Sequence, residues 1–325
     1  MKVNSKDRII EYIQHKGDVS AGELADYLGI SRQALYKQLK KLMTLGQIYK
    51  IGKPPKVFYL IKKEMPESSG FAIDKNLKRI IDENFLLITP EGERKSGLDG
   101  FIHWCEKNNQ PVAKTAVEYA ATLKKYEKFK KNGLIDGMKK MKNTFQEVYL
   151  DALFYVDFYS IERFGKTKLG QLLLYAKQSQ NKKIINELTE IVRPMAIVLM
   201  KKYKIDGVGF VSPTVKREVQ LIKELEKKMA FSLPSIKITK IKTEIAVPQK
   251  TLSKLNDRIE NAKTTFVVEG SAIYNNILLI DDALGSGATL NEIAAQIRRK
   301  GLCRRKIIGL AITGSFKGFD VISEV

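Results

Sequence analysis

The chain has 325 residues, 44% hydrophobic and 29% charged, an ordinary globular composition with room for two or three domains. Lysine and arginine outnumber aspartate and glutamate by 57 to 36, and a net charge of +21 favours polyanions such as nucleic acid, anionic surfaces or phosphorylated ligands. No run approaches the ~18 apolar residues of a membrane helix, and the first twenty residues hold no signal-peptide core, so a cytoplasmic protein without a membrane partner is expected. Cys105 and Cys303 belong to no C-x-x-C pair and are expected to pack, and with His15 and His103 as the only histidines a zinc ribbon, a His-rich metal site and a Ser-His triad have no basis.

Residues 1–64 predict a winged helix-turn-helix. Ile9, Ile10 and Ile13 set one side of a helix over Asp7–His15; Ser20 and Glu23 form a capping box; Gly29 breaks the chain. Ser31 then caps a third helix with Leu35, Leu39 and Leu42 inward, and Ile48–Ile61 supplies a strand, a Gly-Lys-Pro-Pro-Lys turn and a second strand, the wing. The segment resembles winged-helix DNA-binding domains and holds 13 Lys and Arg against 6 Asp and Glu. In a major groove, Arg32 and Gln33 would reach base edges beside Tyr36, while Lys37, Lys40, Lys53 and Lys56 would hold phosphates. The competing reading is a solvated face on a domain that docks protein.

Residues 65–147 read as a helical linker segment. Leu98–Asn108 and Lys114–Lys131 have helical spacing, with Phe101, Ile102 and Trp104, then Val117, Ala120, Ala121 and Leu123, as expected core. Lys124, Lys125, Lys128, Lys130 and Lys131 form a basic stripe, either a solvated face or an extension of a DNA footprint.

Residues 148–325 alternate helices with short apolar strands. Helices are expected over Lys168–Gln180, over Asn181–Tyr203 with an interruption at Pro194, and over Val215–Met229; strands are expected at Gly207–Val211, Ile236–Ile241, Thr264–Val268, Ile277–Ile280 and Lys306–Ile312. Such alternation implies a mainly parallel sheet with ligand at the carboxyl ends of its strands. The fold class is therefore multidomain: an N-terminal winged helix-turn-helix, a helical middle segment and a C-terminal α/β domain.

The segment Ile277 to Leu290 carries the chemistry. An apolar strand is followed by Asp281 and Asp282, then Gly285-Ser286-Gly287-Ala288-Thr289 opens a helix through Ile293, Ala294 and Ile297. Glycines let backbone N–H groups turn onto an anion, hydroxyls add donors, and the helix presents its positive dipole end. Two carboxylates beside a phosphate must face something else, namely sugar hydroxyls or a metal reached through water, and phosphate with diol is a ribose phosphate. Neither G-x-G-x-x-G after this strand nor G-x-x-x-x-G-K-[ST] anywhere is present.

This order resembles the signature of type I phosphoribosyltransferases, which bind 5-phosphoribosyl-1-pyrophosphate (PRPP); it departs at Ala283, where a larger aliphatic residue is common, and at Gly285, where Thr, Ser, Ala or Asp is usual. Residues 248–262, with Gln249, Lys250, Leu252-Ser253, Arg258 and Asn261, look like the mobile loop of ComF-type proteins, and Leu174-Tyr175-Ala176-Lys177 like their upstream Lys-Tyr element in looser form. Ser212–Gln220 is placed like a pyrophosphate loop, with Lys216 and Arg217 as its cations. The resemblance covers roughly residues 148–325, and the fusion to a winged helix is similar to the purine operon repressors of Gram-positive bacteria, which sense PRPP rather than consume it.

The resemblance implies a domain that binds PRPP with Mg2+, or a ribonucleotide, with Asp281, Asp282 and Arg258 as the catalytic set and no metal held directly by the protein. Three functions follow from it: a DNA-binding regulator governed by that ligand; an active phosphoribosyltransferase that passes phosphoribose to a nucleobase or amine and releases pyrophosphate; and a non-catalytic ComF-like component of DNA uptake or processing. Partners are double-stranded DNA and PRPP or a nucleotide, and a homodimer is admitted. Phe316 or Phe319 would stack on a base with Lys317 at its edge, or would simply pack the last strand.

Overall fold

Helix α1 (Ser5–Lys16) buries Ile9 and Ile13, and α2 (Ala21–Leu28) and α3 (Arg32–Thr44) close on them with Leu24, Leu35, Leu39 and Leu42. The computed structural model describes residues 5–53, 56–61, 73–211, 218–241, 247, 252 and 254–315. The capping box is formed in both directions, Ser20 N–H donating to Glu23 (2.8 Å) and Glu23 N–H to Ser20 Oγ (3.2 Å). Gly29, at φ +64°, ends α2 in the left-handed conformation that glycine adopts without strain. Strand β1 (Val19–Ser20), too short to show in the sequence, joins β2 (Ile48–Lys53) and β3 (Lys56–Ile61) in an antiparallel sheet ordered β1-β3-β2.

The chain divides into two units, Met1–Ala72 with Pro90–Glu93, and Ile73–Thr89 with Arg94–Val325. In the second, α4 (Lys75–Asn84), the hairpin of β4 (Leu86–Ile88) and β5 (Arg94–Ser96), α5 (Gly97–Lys107) and α6 (Val112–Glu127) are followed by β6 (Lys130–Lys131), β7 (Leu134–Asp136) and α7 (Met138–Thr144). The expected boundary between residues 147 and 148 thus falls inside one unit. The predicted helix Lys114–Lys131 ends at Glu127, and its inward face is Val112, Thr115, Ala116, Tyr119, Thr122 and Tyr126, whereas Val117 is 56% exposed. Two buried threonines hid the stripe, so the apolar pattern alone set the wrong phase.

The central sheet takes β8 (Ala152–Phe158), then, past a small hairpin of β9 (Ser160–Ile161) and β10 (Gly165–Lys166) and helices α8 (Lys168–Ser179) and α9 (Lys182–Tyr203), β11 (Gly207–Phe210). After α10 (Leu221–Met229) come β12 (Ser235–Lys240), α11 (Leu255–Thr265), β13 (Phe266–Glu269), β14 (Tyr274–Leu284), α12 (Ala288–Arg299) and β15 (Cys303–Gly314). Helix α9 runs unbroken through Pro194, because Ile185, Leu188, Val192, Ala196 and Leu199 bury one continuous face on either side of it. The helix expected from Val215 begins at Leu221, and Thr264 and Thr265 belong to α11 rather than to a strand.

The eight-stranded order is β13-β12-β11-β14-β15-β8-β7-β6. From β12 to β8 all neighbours are parallel; β13 on one edge and β7 with β6 on the other are antiparallel. On one face, α8, α9 and α10 cover Leu278, Ile280, Ile308, Leu310 and Ile312. On the other, α12 and the middle helices cover Leu153, Tyr155, Ile277, Leu279, Ile307 and Ala311, with Phe101 and Tyr119 in the same core. Both cysteines are buried and unbridged.

Candidate ligand site and nucleic-acid interface

Strand β14 extends past its apolar run to Leu284, pairing Asp281 with Ala311 and Ala283 with Thr313, so the two acids stand on the strand's last turn of pleat. Alternation sends consecutive side chains to opposite faces. Asp282 meets Lys177 of α8 at 2.8 Å, each side chain 16% exposed. Asp281 accepts the N–H of Asp282 at 2.8 Å. Burial, and then the neighbouring Asp282 charge, push the Asp281 carboxyl up to about 8, against the opposing pull of that N–H and of Lys177. Adjacent in sequence, the acids therefore differ in state: one holds its proton near neutrality and the other is paired with a cation.

The loop after β14 turns tightly. Ser286 is buried and its Oγ accepts the N–H of Ala288 at 3.3 Å, while Ala288 is buried and Thr289 half-buried. Gly287 is the N-cap of α12 at φ +87°, where a Cβ would overlap Met141 of α7. A glycine cap brings no side chain of its own, and the first turn of a helix has N–H groups without intrahelical partners. Gly285 is different: among the described residues a Cβ there would have only Arg258 Nη1 nearby, at 3.7 Å.

Arg258 sits on α11, 4% exposed, its Nε donating to the Leu252 carbonyl at 2.7 Å, and burial lowers its pKa from the usual arginine value. The segment expected as a mobile loop is thus helical from Leu255, with Arg258 and Asn261 on that helix. Asn261 donates to the Val247 carbonyl at 3.3 Å, and its buried Oδ1 has no hydrogen-bond partner among the described residues. Lys216, Arg217, Gln249, Lys250, Ser253, Phe316, Lys317 and Phe319 lie outside the described residues.

Two neighbours of the loop escaped the sequence. Lys140 of α7 donates to Ser315 Oγ at 2.6 Å, and the Ser315 N–H reaches the Leu284 carbonyl at 3.4 Å. Helix α7 is about two lysine-rich turns with no periodicity to read, yet it supplies both Lys140 and the Met141 that fills the space beside Gly287. Thr313, fully buried, aligns with Ala283 on one side and Asp157 on the other, and its hydroxyl has no partner among the described residues. Asp157, raised by burial, pairs with Lys130 at 3.2 Å. The described residues contain no group of three or more His, Cys, Asp or Glu suited to a metal ion. Two adjacent carboxylates, one of them paired with Lys177, make an incomplete magnesium site, so the ion would arrive with a ligand's own phosphates.

On the N-terminal unit, Arg32, Gln33, Tyr36, Lys37 and Lys40 are all exposed on α3, opposite its buried leucines. Ser31 caps this helix through the Ala34 N–H at 3.3 Å. The side chains of Lys53 and Lys56 lie outside the described residues. No described helix is long and apolar enough to cross a membrane.

Residues 6–59 match the helix-turn-helix (HTH) domain family, and the chain carries such a domain at its N-terminus. No curated protein matches the chain. Among solved structures it is similar to a hypoxanthine-guanine phosphoribosyltransferase from Bacillus anthracis, with 12% identity over 42% of this chain and 74% of that one and a TM-score of 0.28. It is also similar to a hypoxanthine phosphoribosyltransferase from Staphylococcus aureus (15% identity, 42% and 78%, TM-score 0.24) and to a purine phosphoribosyltransferase from Pyrococcus horikoshii (12%, 42% and 92%, TM-score 0.21). Likeness at these scores says nothing about ligand or activity.

Proposed function

We propose that the protein is a DNA-binding regulator whose α/β domain binds a ribose phosphate, PRPP with Mg2+ or a ribonucleotide, and that this ligand alters affinity for duplex DNA. One juxtaposition carries the reading: a glycine-capped helix N-terminus, an anion site by its N–H groups and dipole, lies directly after two carboxylates, with Arg258 beside Gly285. Phosphate binds the loop, and the ribose hydroxyls lie toward Asp281 and Asp282. The first of these acids holds its proton near neutrality and the second is neutralised by Lys177. On the N-terminal unit the exposed face of α3 reads the groove, Arg32 and Gln33 at base edges and Lys37 and Lys40 on phosphates.

The test is linkage. If PRPP changes affinity for cognate DNA by some factor, that DNA must change affinity for PRPP by the same factor, typically ~5- to 150-fold. Calorimetric titration of PRPP and Mg2+ with and without saturating duplex should show reciprocal shifts and no pyrophosphate release. Equal PRPP affinity in both titrations sinks the regulator; pyrophosphate release with a nucleobase or amine replaces it with the enzyme.

A further inference from the structure

Helices α9 and α12 deliver their C-termini to the amino-terminal edge of the parallel sheet, the end opposite the loop Gly285–Thr289. There Lys201, Lys202 and Lys204, at the end of α9, and Arg304, Arg305 and Lys306, at the start of β15, are all exposed. Lys202 and Lys306 place their ammonium groups over the same Tyr203 ring, 5.2 and 5.8 Å from its centroid, and Lys202 also covers Phe154 at 5.6 Å. Two acids of this edge accept hydrogen bonds from within it. Asp151 accepts from Arg298 (2.6 Å) and from the Ile307 N–H (2.7 Å), and Asp206 accepts from Asn275 (2.9 Å) and the Asn276 N–H (2.8 Å).

Cations at helix C-termini complement the macrodipole, but one helix end offers only roughly half an elementary charge. That accounts for Lys201 or Lys202, not for a triplet on a strand. Lys204 holds the left-handed cap of α9 at φ +49°, where glycine would be unstrained, and keeps a charged side chain there. Two cations on one aromatic ring, with four more exposed along the same edge, form a surface suited to a polyanion.

We propose that this sheet edge is a second contact for the phosphate backbone of duplex DNA. The proposal rests on the reading that α3 binds DNA: a tethered helix-turn-helix domain holds the same duplex at high effective concentration, so a modest patch gains occupancy that it lacks alone.

The test uses the full chain and a 30-base-pair random-sequence duplex, with affinity measured by fluorescence anisotropy from 50 to 200 mM salt. One variant carries Lys201→Glu, Lys204→Glu, Arg304→Glu and Arg305→Glu, and a second carries glutamine at the same four positions. A third carries Lys37→Ala and Lys40→Ala on α3. Each lost phosphate contact flattens the log-log salt slope by about 0.9, so the charge-reversed variant should lose roughly 3 to 4 from the slope and on the order of a hundredfold in affinity. The glutamine variant should follow in the same direction with an unchanged thermal midpoint. Wild-type slope and affinity in both four-site variants, with loss only in the α3 variant, overturn the proposal and leave α3 standing. Loss only in the four-site variants overturns the α3 reading instead. Absence of duplex binding by the wild type, or stronger binding of single-stranded RNA, overturns the second contact.

Discussion

Asp281→Asn isolates the raised carboxyl. The usual aspartate value is 3.8, and in the folded chain this group titrates at about 8. Between those values the native state keeps a proton that the unfolded chain has released, so the stability it contributes is complete below the unfolded value and is lost as pH climbs to the folded one. The slope is about 1.36 kcal/mol per pH unit, or about 2 kcal/mol between pH 6 and 8 once the flattening near the folded value is included. For a unit of this size each kcal/mol moves the midpoint by about 2 to 4 °C. The wild type should therefore lose about 4 to 8 °C between pH 6 and 8 relative to Asp281→Asn, whose amide does not titrate. Trp104, the single tryptophan, lies on α5 of the larger unit, so its fluorescence follows that unit alone. Parallel profiles for the two proteins would refute the reasoning. A ligand that engages the ionised carboxyl should also bind more tightly as pH rises from 6 to 8, by up to about tenfold per unit, and calorimetry at each pH reads that directly.

Lys177→Met strands Asp282 without its ion-pair partner in a mostly buried place, which should cost about 1 to 3 kcal/mol in urea unfolding followed at Trp104 and should weaken PRPP binding as well; an unchanged midpoint would mean the pair carries no weight. Gly287→Val forces a branched residue to φ +87° and against Met141, so the unit should lose about 3 kcal/mol or more, whereas Gly285→Ser has room and should fold normally with equal or tighter phosphate binding. A folded Gly287→Val protein with wild-type stability contradicts the packing, and a binding defect in Gly285→Ser contradicts the loop assignment. On DNA, Lys37→Ala and Lys40→Ala should each flatten the salt slope by about 0.9, while Arg32→Ala should chiefly relax sequence preference in a competition with randomised duplexes.

The legible parts of the chain were those where a local pattern and its physical consequence coincide. Ser20 with Glu23, and Ser31 before the leucine stripe, announce helices by the same hydrogen bonds that form in the structure. The β14–α12 turn shows because a buried strand, two acids and a glycine loop cannot be mistaken for a helix. Thr115 and Thr122 had the opposite effect, since polar residues in a buried stripe shift the apparent phase of α6. Strands β1, β6 and β7 are too short for alternation to register, and they exist because longer neighbours supply the hydrogen bonds. The pairing of Lys177 with Asp282, like the seat of Met141 beside Gly287, joins segments far apart in the chain, and no local spacing encodes such a meeting.

Strands β6 and β7 decide where this protein tolerates a cut. Ile135 and Asp136 pair with Tyr155 and Phe154 along the outer side of β8, so a fragment starting at residue 148 begins with a bare, largely apolar strand whose backbone donors and acceptors face water. Bare edges recruit one another, and such a fragment should precipitate or form soluble aggregates at concentrations where the intact protein is monodisperse. A fragment starting at residue 73 keeps that edge sealed and is the smallest piece expected to behave as a well-mannered solute.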